Sequence, residues 1–151
     1  MNRYGFLLSG EYGNLYSKND KYIKGAFIMN DLLAIGTILA FLGVVLGAFG
    51  AHALKEKFPE PRYEQIWNTA VQYQMYHALG LILLGILSMD GLIGSTNLLS
   101  WSGYLMLIGV VFFSGSLYIL SVTGVKKLGA ITPIGGMFFL VAWILLFIEI
   151  I

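Results

Sequence analysis

The amino-acid sequence predicts an all-α integral membrane protein that folds as an antiparallel four-helix bundle. Of its 151 residues, 58% are hydrophobic and only 11% are charged, and the mean hydropathy is +0.78. An ordinary soluble domain carries roughly a quarter charged residues, so this chain cannot build a water-solvated surface. The composition therefore excludes soluble enzymes, nucleic-acid binding proteins and disordered tails. The absence of cysteine excludes disulfides, thiolate zinc sites and cysteine nucleophiles.

Four segments are apolar enough to cross about 30 Å of hydrocarbon, which takes roughly twenty helical residues. Within a membrane domain of residues 29–151, they are predicted at about 32–54, 69–89, 98–122 and 128–148. The second is unusual, because its purely apolar part, 78–89, is too short to cross alone and must be extended by the polar stretch 69–77. Short connections rich in turn-forming and charged residues separate the segments, so consecutive helices are expected to be antiparallel neighbours.

Residues 1–28 differ from the rest of the chain and form a predicted N-terminal tail. They mix polar and aromatic residues with four basic residues, and they lack the apolar core of a signal peptide. Met29 stands directly before the first apolar segment, and the codons of residues 24–26 could form a purine-rich ribosome-binding sequence. Two interpretations remain: translation that starts natively at Met29, or a genuine tail that begins at Met1.

The distribution of charge predicts an orientation that depends on this start site. Counted from Met29, the side that holds both termini carries only carboxylates, and the basic residues all lie in the two connections on the other side. The carboxylates are Asp31, Asp90 and Glu149, and the basic residues are Lys55, Lys57, Arg62, Lys126 and Lys127. The positive-inside rule then places both basic connections in the cytoplasm and both termini outside. If residues 1–28 are genuine, their four basic residues almost cancel this bias.

Small residues recur along the first predicted helix, mostly at four-residue spacing. They are Gly36, Ala40, Gly43, Gly47 and Ala51. Such a strip lets the backbone of a second helix approach closely, which is the general way in which membrane helices pack. We interpret the strip as a packing surface, and it predicts a central place for this helix in the bundle or in a dimer.

A broad polar face marks the second predicted helix. One stripe, Asn68, Gln72 and Tyr76, recurs every four residues, and so does a second stripe, Thr69, Tyr73 and His77. Amides facing lipid would lack hydrogen-bond partners, so this face should meet another helix, a cavity or the headgroup region. The alternatives are an aromatic belt at headgroup level and a polar pocket at the lysine-rich end. We favour the pocket, because amides continue inward as far as a histidine.

Two histidines decide what chemistry such a pocket could support. His52 closes the first helix and His77 lies about two turns into the second, so both rings should lie toward one membrane face, about 7 Å apart in depth. Two histidines could bind a metal or haem, but no carboxylate accompanies them within the membrane segments and no ligand motif is present. We predict hydrogen-bonded structural histidines, with no metal, no cofactor and no catalytic residue. A membrane enzyme or electron carrier that uses both histidines is the alternative.

The third and fourth helices add further candidates. Ser114 and Tyr118 share a face of the third helix. The predicted pocket residues are therefore His52, Gln72, Tyr73, Tyr76, His77, Ser114 and Tyr118. In the fourth helix, Thr132 is the predicted N-cap, because Pro133 suits the first turn.

Four motifs are specific when they are taken together: GAFGAH at 47–52, YQMYH at 73–77, FSGSLY at 113–118 and ITPIGG at 131–136. Through them the sequence resembles the YgdD/YwdK-type family of small, functionally uncharacterised bacterial membrane proteins, essentially from Met29 to the C-terminus. The resemblance implies a multi-pass, four-helix protein of the bacterial cytoplasmic membrane, and it supplies no substrate. The expected function is non-enzymatic: binding or transport of a small molecule or lipid, or an accessory role in a membrane complex. Expected partners are the lipid bilayer and a second copy or a larger membrane complex, and not nucleic acid.

Overall fold

A computed structural model describes residues 30–151, and this part of the chain is helical throughout, with short turns between the helices. The helices are α1 (Asn30–His52), α2 (Pro61–Leu87), α3 (Asn97–Val110), α4 (Ser116–Thr123) and α5 (Thr132–Ile150). A π-helical turn, Val111–Gly115, joins α3 to α4, and a 3₁₀ turn, Lys126–Ala130, precedes α5. The expectations for residues 1–28 and for a start at Met29 lie outside the described residues.

Within residues 30–151, four helical segments are long and apolar enough to cross a membrane. They are Asn30–His52, Pro61–Leu87, Asn97–Thr123 and Lys126–Ile150, and they are called the first to fourth spans below. The predicted all-helical class and the number of spans are confirmed.

Two helix starts differ from the sequence-based expectation. The second span begins at Pro61 rather than near residue 69, because a proline in the first turn lacks only an N–H that has no partner within the helix. Thr132 is the first residue of α5 rather than its cap, and its hydroxyl lies 2.9 Å from the hydroxyl of Ser116 instead. The proline therefore begins the second span, and the threonine connects the fourth span to the third.

The first two spans contact each other in opposite chain directions. Gly36 of α1 lies against Ile82 of α2, whereas Gly47, farther along α1, lies against Val71. Residue numbers thus rise along one helix while they fall along the other, so α1 and α2 are antiparallel neighbours. The start of α1 is therefore level with the end of α2.

The second and third spans form the centre of the described fold. In each, 44% of the most apolar stretch is buried, against 17% for α1 and 22% for the fourth span. Of the two places expected for α1, the centre of the bundle is therefore wrong, since α1 packs through one face and lies at the edge. A central place in a dimer stays a prediction. The outer surface of α1 is apolar and is not covered by the other helices of residues 30–151, since side chains such as Phe41 and Val44 are exposed.

The buried side chains form two apolar clusters. The cluster at one end contains Leu32, Leu81, Leu84, Leu99, Met106, Ala142 and Leu146. The other contains Tyr63, Ala70, Leu117 and Leu120. The first cluster lies at the end that carries Asp31, Asp90 and Glu149, which we call the acidic end, and the second at the lysine-rich end. Three of the buried polar side chains, Gln74, His77 and Ser114, lie between the two clusters.

Candidate functional site

Gln74 is the buried amide of α2. Its Nε2 donates to the backbone carbonyl of Leu39 in α1 at 2.8 Å, and its Oε1 accepts from the Tyr118 hydroxyl of α4 at 2.9 Å. One side chain therefore links the first three spans. Gln74 was not among the predicted pocket residues, because it lies outside the two polar stripes of four-residue spacing. Gln74 belongs instead to the buried stripe of α2, whose members alternate three and four residues apart, as Trp67, Ala70, Gln74 and His77 do.

Two further side chains bond to the backbone of a neighbouring helix. The indole N–H of Trp67 donates to the carbonyl of Leu46 at 3.0 Å, and the Ser114 hydroxyl donates to the carbonyl of Ala70 at 2.8 Å. The ring of Trp67 also meets Tyr118 edge-on, with centroids 4.7 Å apart. Polar side chains in a membrane interior need such internal partners. We call Trp67, Gln74, His77, Ser114 and Tyr118 the buried polar layer.

His77 lies under the aromatic side chains of α5. Its ring stacks on Phe139 with centroids 3.3 Å apart and planes at 9°. Its Nδ1 is 2.8 Å from the carbonyl oxygen of Tyr73, and its Nε2 is 3.3 Å from the indole nitrogen of Trp143. An indole N–H can only donate, so Nε2 accepts and Nδ1 carries the proton that is donated to Tyr73. Both nitrogens of the ring are therefore engaged in hydrogen bonds in this structure.

The predicted pocket residues separate into two groups. His77, Ser114 and Tyr118 belong to the buried polar layer, whereas His52 is exposed at the end of α1. Gln72 and Tyr76 lie on the exposed side of α2, where the Gln72 amide donates to the Tyr76 hydroxyl oxygen at 2.7 Å. Tyr73 lies between the groups: it is 38% exposed and stacks on Phe113 at a centroid distance of 4.5 Å. The structure thus does not bring Gln72, Tyr76 and His52 to the buried ring of His77.

Most of the predicted small residues of α1 lie against α2, but Ala51 does not, and Gly50 lies there instead. Gly36 and Gly43 are buried and Gly47 is half-buried, but Ala51 is exposed. Gly50 takes the expected place of Ala51 and lies against the indole of Trp67. Gly36, Gly43 and Gly50 are seven residues apart, which keeps them on one face better than strict four-residue spacing does.

A groove opens at the acidic end, between α1, α2 and α3. It has a volume of about 80 Å³ and is lined by Asp31, Leu32, Ile35, Leu81, Ser100, Gly103, Tyr104 and Leu107. Leu32 and Leu81 are buried and form its apolar floor, while Asp31, at the start of α1, is exposed at its mouth. Tyr104 is also exposed, but it lies seven residues into α3. This groove lies at the opposite end of the fold from the pocket that the sequence predicts.

The charges of the described residues differ between the two ends. At the acidic end, residues 30–151 contribute Asp31, Asp90 and Glu149 but no lysine or arginine. All basic residues of the same range lie in or next to the connections at the other end: Lys55, Lys57, Arg62, Lys126 and Lys127. Within the described part of the chain, Asp31 therefore has no cationic side chain at its own end.

Four apolar helical spans, with polar core groups that bond to one another, define a multi-pass membrane protein. Residues 46–136 match the family described as "Protein of unknown function (DUF423)". The UPF0382 membrane protein YwdK of Bacillus subtilis (strain 168) is 50% identical over 121 residues, which cover 80% of this chain and 96% of YwdK. The UPF0382 membrane protein SH2409 of Staphylococcus haemolyticus (strain JCSC1435) is 47% identical over 122 residues, with coverage of 80% and 95%.

The chain therefore belongs to the DUF423 family of UPF0382 membrane proteins. The resemblance found from the four sequence motifs is confirmed. No solved structure matches the chain.

Proposed function

We propose that this protein binds a lipid-like amphiphile with a cationic amine head group, in the groove at the acidic end, and catalyses no reaction. We place it in the bacterial cytoplasmic membrane, because its described spans are helical whereas proteins of the bacterial outer membrane are typically β-barrels. The observation that carries the proposal is a groove with an apolar floor and a carboxylate at its mouth.

The shape of the groove suits a molecule with an apolar chain and a polar head. Asp31 is the second residue of α1, so its carboxylate lies at the membrane boundary. From Ser100 to Leu107 the groove follows α3 for about 10 Å, at 1.5 Å per residue. Its floor of Leu32 and Leu81 offers apolar contact to part of an alkyl chain, which is how ligand pockets generally combine apolar lining with few polar groups.

The charge of the groove favours an amine over an anionic head group. Asp31 has no lysine or arginine at its end within residues 30–151, and Asp90 and Glu149 make the same end more negative. An ammonium group would supply the positive charge that residues 30–151 do not provide at the acidic end. Tyr104 and Ser100 also line the groove, and their hydroxyl oxygens can accept hydrogen bonds from an ammonium group.

The alternative class, a metal or haem protein that uses both histidines, has less support. Nδ1 and Nε2 of His77 are bonded to the Tyr73 carbonyl and the Trp143 indole, and Phe139 covers one face of the ring. His52 lies exposed at the end of α1 and takes no part in this cluster. An absorption spectrum of the purified protein separates the classes, since a haem band that disappears in His77→Phe would establish the alternative.

Direct binding measurements test the proposal. Purified full-length protein in detergent should bind an alkylamine more tightly than an alkanol or an alkanoate of the same chain length. Asp31→Asn should weaken amine binding by about two- to fivefold, the range for an exposed ion pair, and leave alkanol binding unchanged. Asp90→Asn is the matched control, because Asp90 lies at the same end but does not line the groove.

The same experiment separates binding from a structural role of Asp31. A carboxylate in the first turn also stabilises a helix through the helix dipole. That role would lower the melting temperature of Asp31→Asn without changing the preference for amines. Equal affinity for the three amphiphiles, or equal effects of Asp31→Asn and Asp90→Asn, would contradict the proposal.

A further inference from the structure

One face of α2 is left uncovered by the other helices of residues 30–151. Its exposed side chains are Gln65, Asn68, Gln72, Tyr76, Leu79, Leu83 and Ile86, and we call them the open face. Their spacings along the helix are three or four residues throughout. This is the spacing at which one helix packs along another in left-handed pairs.

The open face carries polar groups at a depth where the membrane is apolar. Val71 and Met75, on either side of Gln72 in the sequence, contact Gly47 and Gly43 of α1. These glycines lie five and nine residues before the end of α1 at His52, or roughly 8–14 Å inside the helix end. Gln72 and Tyr76 are therefore level with apolar turns of α1 rather than with its end.

The hydrogen-bonding capacity of this pair is only partly used within the described part of the chain. The Gln72 amide donates one hydrogen to the Tyr76 oxygen at 2.7 Å. A second amide hydrogen, the amide oxygen and the phenol hydrogen remain, by the donor and acceptor inventory of the two side chains. Polar groups that face hydrocarbon without partners are costly, whereas interhelical hydrogen bonds satisfy them.

We infer that the open face is the contact surface of a homodimer, in which Gln72 of one copy pairs with Gln72 of the second copy. An amide contains both a donor and an acceptor, so two copies of Gln72 can each donate and accept. Two copies inserted in the same orientation are related by a twofold axis along the membrane normal, which makes their α2 helices parallel and brings the two amides to the same depth. The contact extends along Leu79, Leu83 and Ile86 toward the acidic end.

A second copy suits this face better than a lipid does. Lipid tails can cover Leu79 and Leu83, but they offer no hydrogen-bond partner to the amide. In paired helices a single buried amide on a seam of three- and four-residue spacing fixes the register and favours two strands. Gln72 is the innermost of three amides on the open face, since Gln65 and Asn68 lie nearer the start of α2 and the apolar residues begin after Tyr76.

Cysteine cross-linking in native membranes tests the contact surface, because the chain contains no cysteine of its own. Leu79→Cys and Leu83→Cys should each give a disulfide-linked dimer with copper–phenanthroline as the oxidant. Ile119→Cys on α4 and Ile144→Cys on α5 are matched controls, since both replace exposed apolar residues outside the open face. These controls should stay monomeric. Equal cross-linking at the controls would overturn the inference.

Dimerisation in vesicles tests the role of the amide. Single-molecule photobleaching of the full-length protein should show dimers whose fraction rises with the protein-to-lipid ratio. Gln72→Leu should raise the dimer dissociation constant by about ten- to a hundredfold, the combined value of two interhelical hydrogen bonds, and Gln72→Asn should recover part of this loss. Gln65→Leu is the control on the same face, because Gln65 lies within the first turns of α2, near water.

Three further outcomes would overturn the homodimer. The full-length protein could be monomeric at every protein-to-lipid ratio, as expected if residues 1–29 cover the face. Leu79→Cys could cross-link exclusively to a different membrane protein, which would assign the face to that protein. Finally, Gln72→Leu and Gln65→Leu could have equal effects. The amine binding proposed for the groove does not depend on any of these results.

Discussion

The indole N–H of Trp143 donates to Nε2 of His77 across a distance of 3.3 Å, and this bond joins the fourth span to the second. It fixes the histidine as the neutral tautomer that carries its proton on Nδ1. The other side chains of the buried polar layer are also held by hydrogen bonds to neighbouring helices. Among the described residues, no buried side-chain nitrogen or oxygen lacks a hydrogen-bond partner. The layer therefore positions the spans relative to one another through directional hydrogen bonds. Apolar contacts between helices are not directional in this way, since lipid tails offer the same kind of contact.

Removing the indole donor is expected to destabilise the protein. Trp143→Phe leaves Nε2 of His77 without a partner, and an unsatisfied buried acceptor costs about 1–3 kcal/mol. Trp101→Phe removes the same group from an exposed ring and should have a smaller effect. The free energy of unfolding in detergent measures both. In a double-mutant cycle, Trp143→Phe and His77→Phe should show a coupling above about 0.5 kcal/mol, and additive effects would contradict a direct bond.

The two neighbouring glutamines of α2 are expected to differ in their effect on stability. Gln74→Leu leaves the Tyr118 hydroxyl without its acceptor and removes the additional hydrogen bond to the Leu39 carbonyl, so it should lower the free energy of unfolding by about 1–3 kcal/mol. Gln72→Leu removes an exposed pair within one helix and should cost less than about 0.5 kcal/mol in monomeric protein. Chemical unfolding of both variants in excess detergent, where dimers are diluted, measures the two free energies of unfolding. A larger cost for Gln72→Leu would show that the buried stripe of α2 is assigned wrongly.

The close approach of α1 and α2 at Gly36 predicts a steric effect. A Cβ at this position would lie 2.8 Å from both the Ala78 carbonyl oxygen and the Ile82 Cγ1. Gly36→Ala should therefore force the helices apart and cost about 1–3 kcal/mol, the usual range for overpacking. Gly115→Ala is the control, because a Cβ there would meet nothing within 4 Å. Thermal unfolding of the two variants should differ, and equal melting temperatures would exclude a close contact at Gly36.

The number of spans could be predicted from the sequence because the thickness of the hydrocarbon requires about twenty apolar residues per helix. The start of α2 could not, since the polar turns from Pro61 onward carry little hydropathy and are held by packing of Tyr63 and Trp67 in the interior. Length and hydropathy describe what the membrane requires of a helix. They do not describe how far a helix continues beyond the membrane interior.

The candidate site could be predicted only in part, because the sequence shows which residue types are unusual in an apolar helix but not which of them face a neighbouring helix. Ser114, Tyr118 and His77 are unusual residues in apolar helices, so their residue types indicated internal partners. Gln74 and Gln72 are the same residue type two positions apart, so residue type does not show which one is buried. The buried stripe that contains Ala70 and Leu81 has the heptad spacing that would have identified Gln74. The groove depends on three helices together and has no counterpart in any single segment.

The orientation predicted from the basic connections can be tested by labelling. With translation from Met29, all five lysines and arginines lie in or next to the connections that contain Lys57 and Lys126, which the positive-inside rule places in the cytoplasm. The connection after α2 should then lie outside. Leu92 is the better position there for a cysteine, because it is 59% exposed, whereas Gly94 has a φ of +81° that a cysteine would adopt only with strain.

Leu92→Cys should therefore react with a membrane-impermeant maleimide added to whole cells. Lys57→Cys should react after the cells are permeabilised and not before, which also shows that its thiol is accessible. The absence of native cysteine removes background labelling of this chain. Because the groove opens at the same end as Leu92, external labelling would also place Asp31 on the outer side of the membrane. Labelling of Lys57→Cys alone in intact cells would reverse the orientation and place the groove toward the cytoplasm.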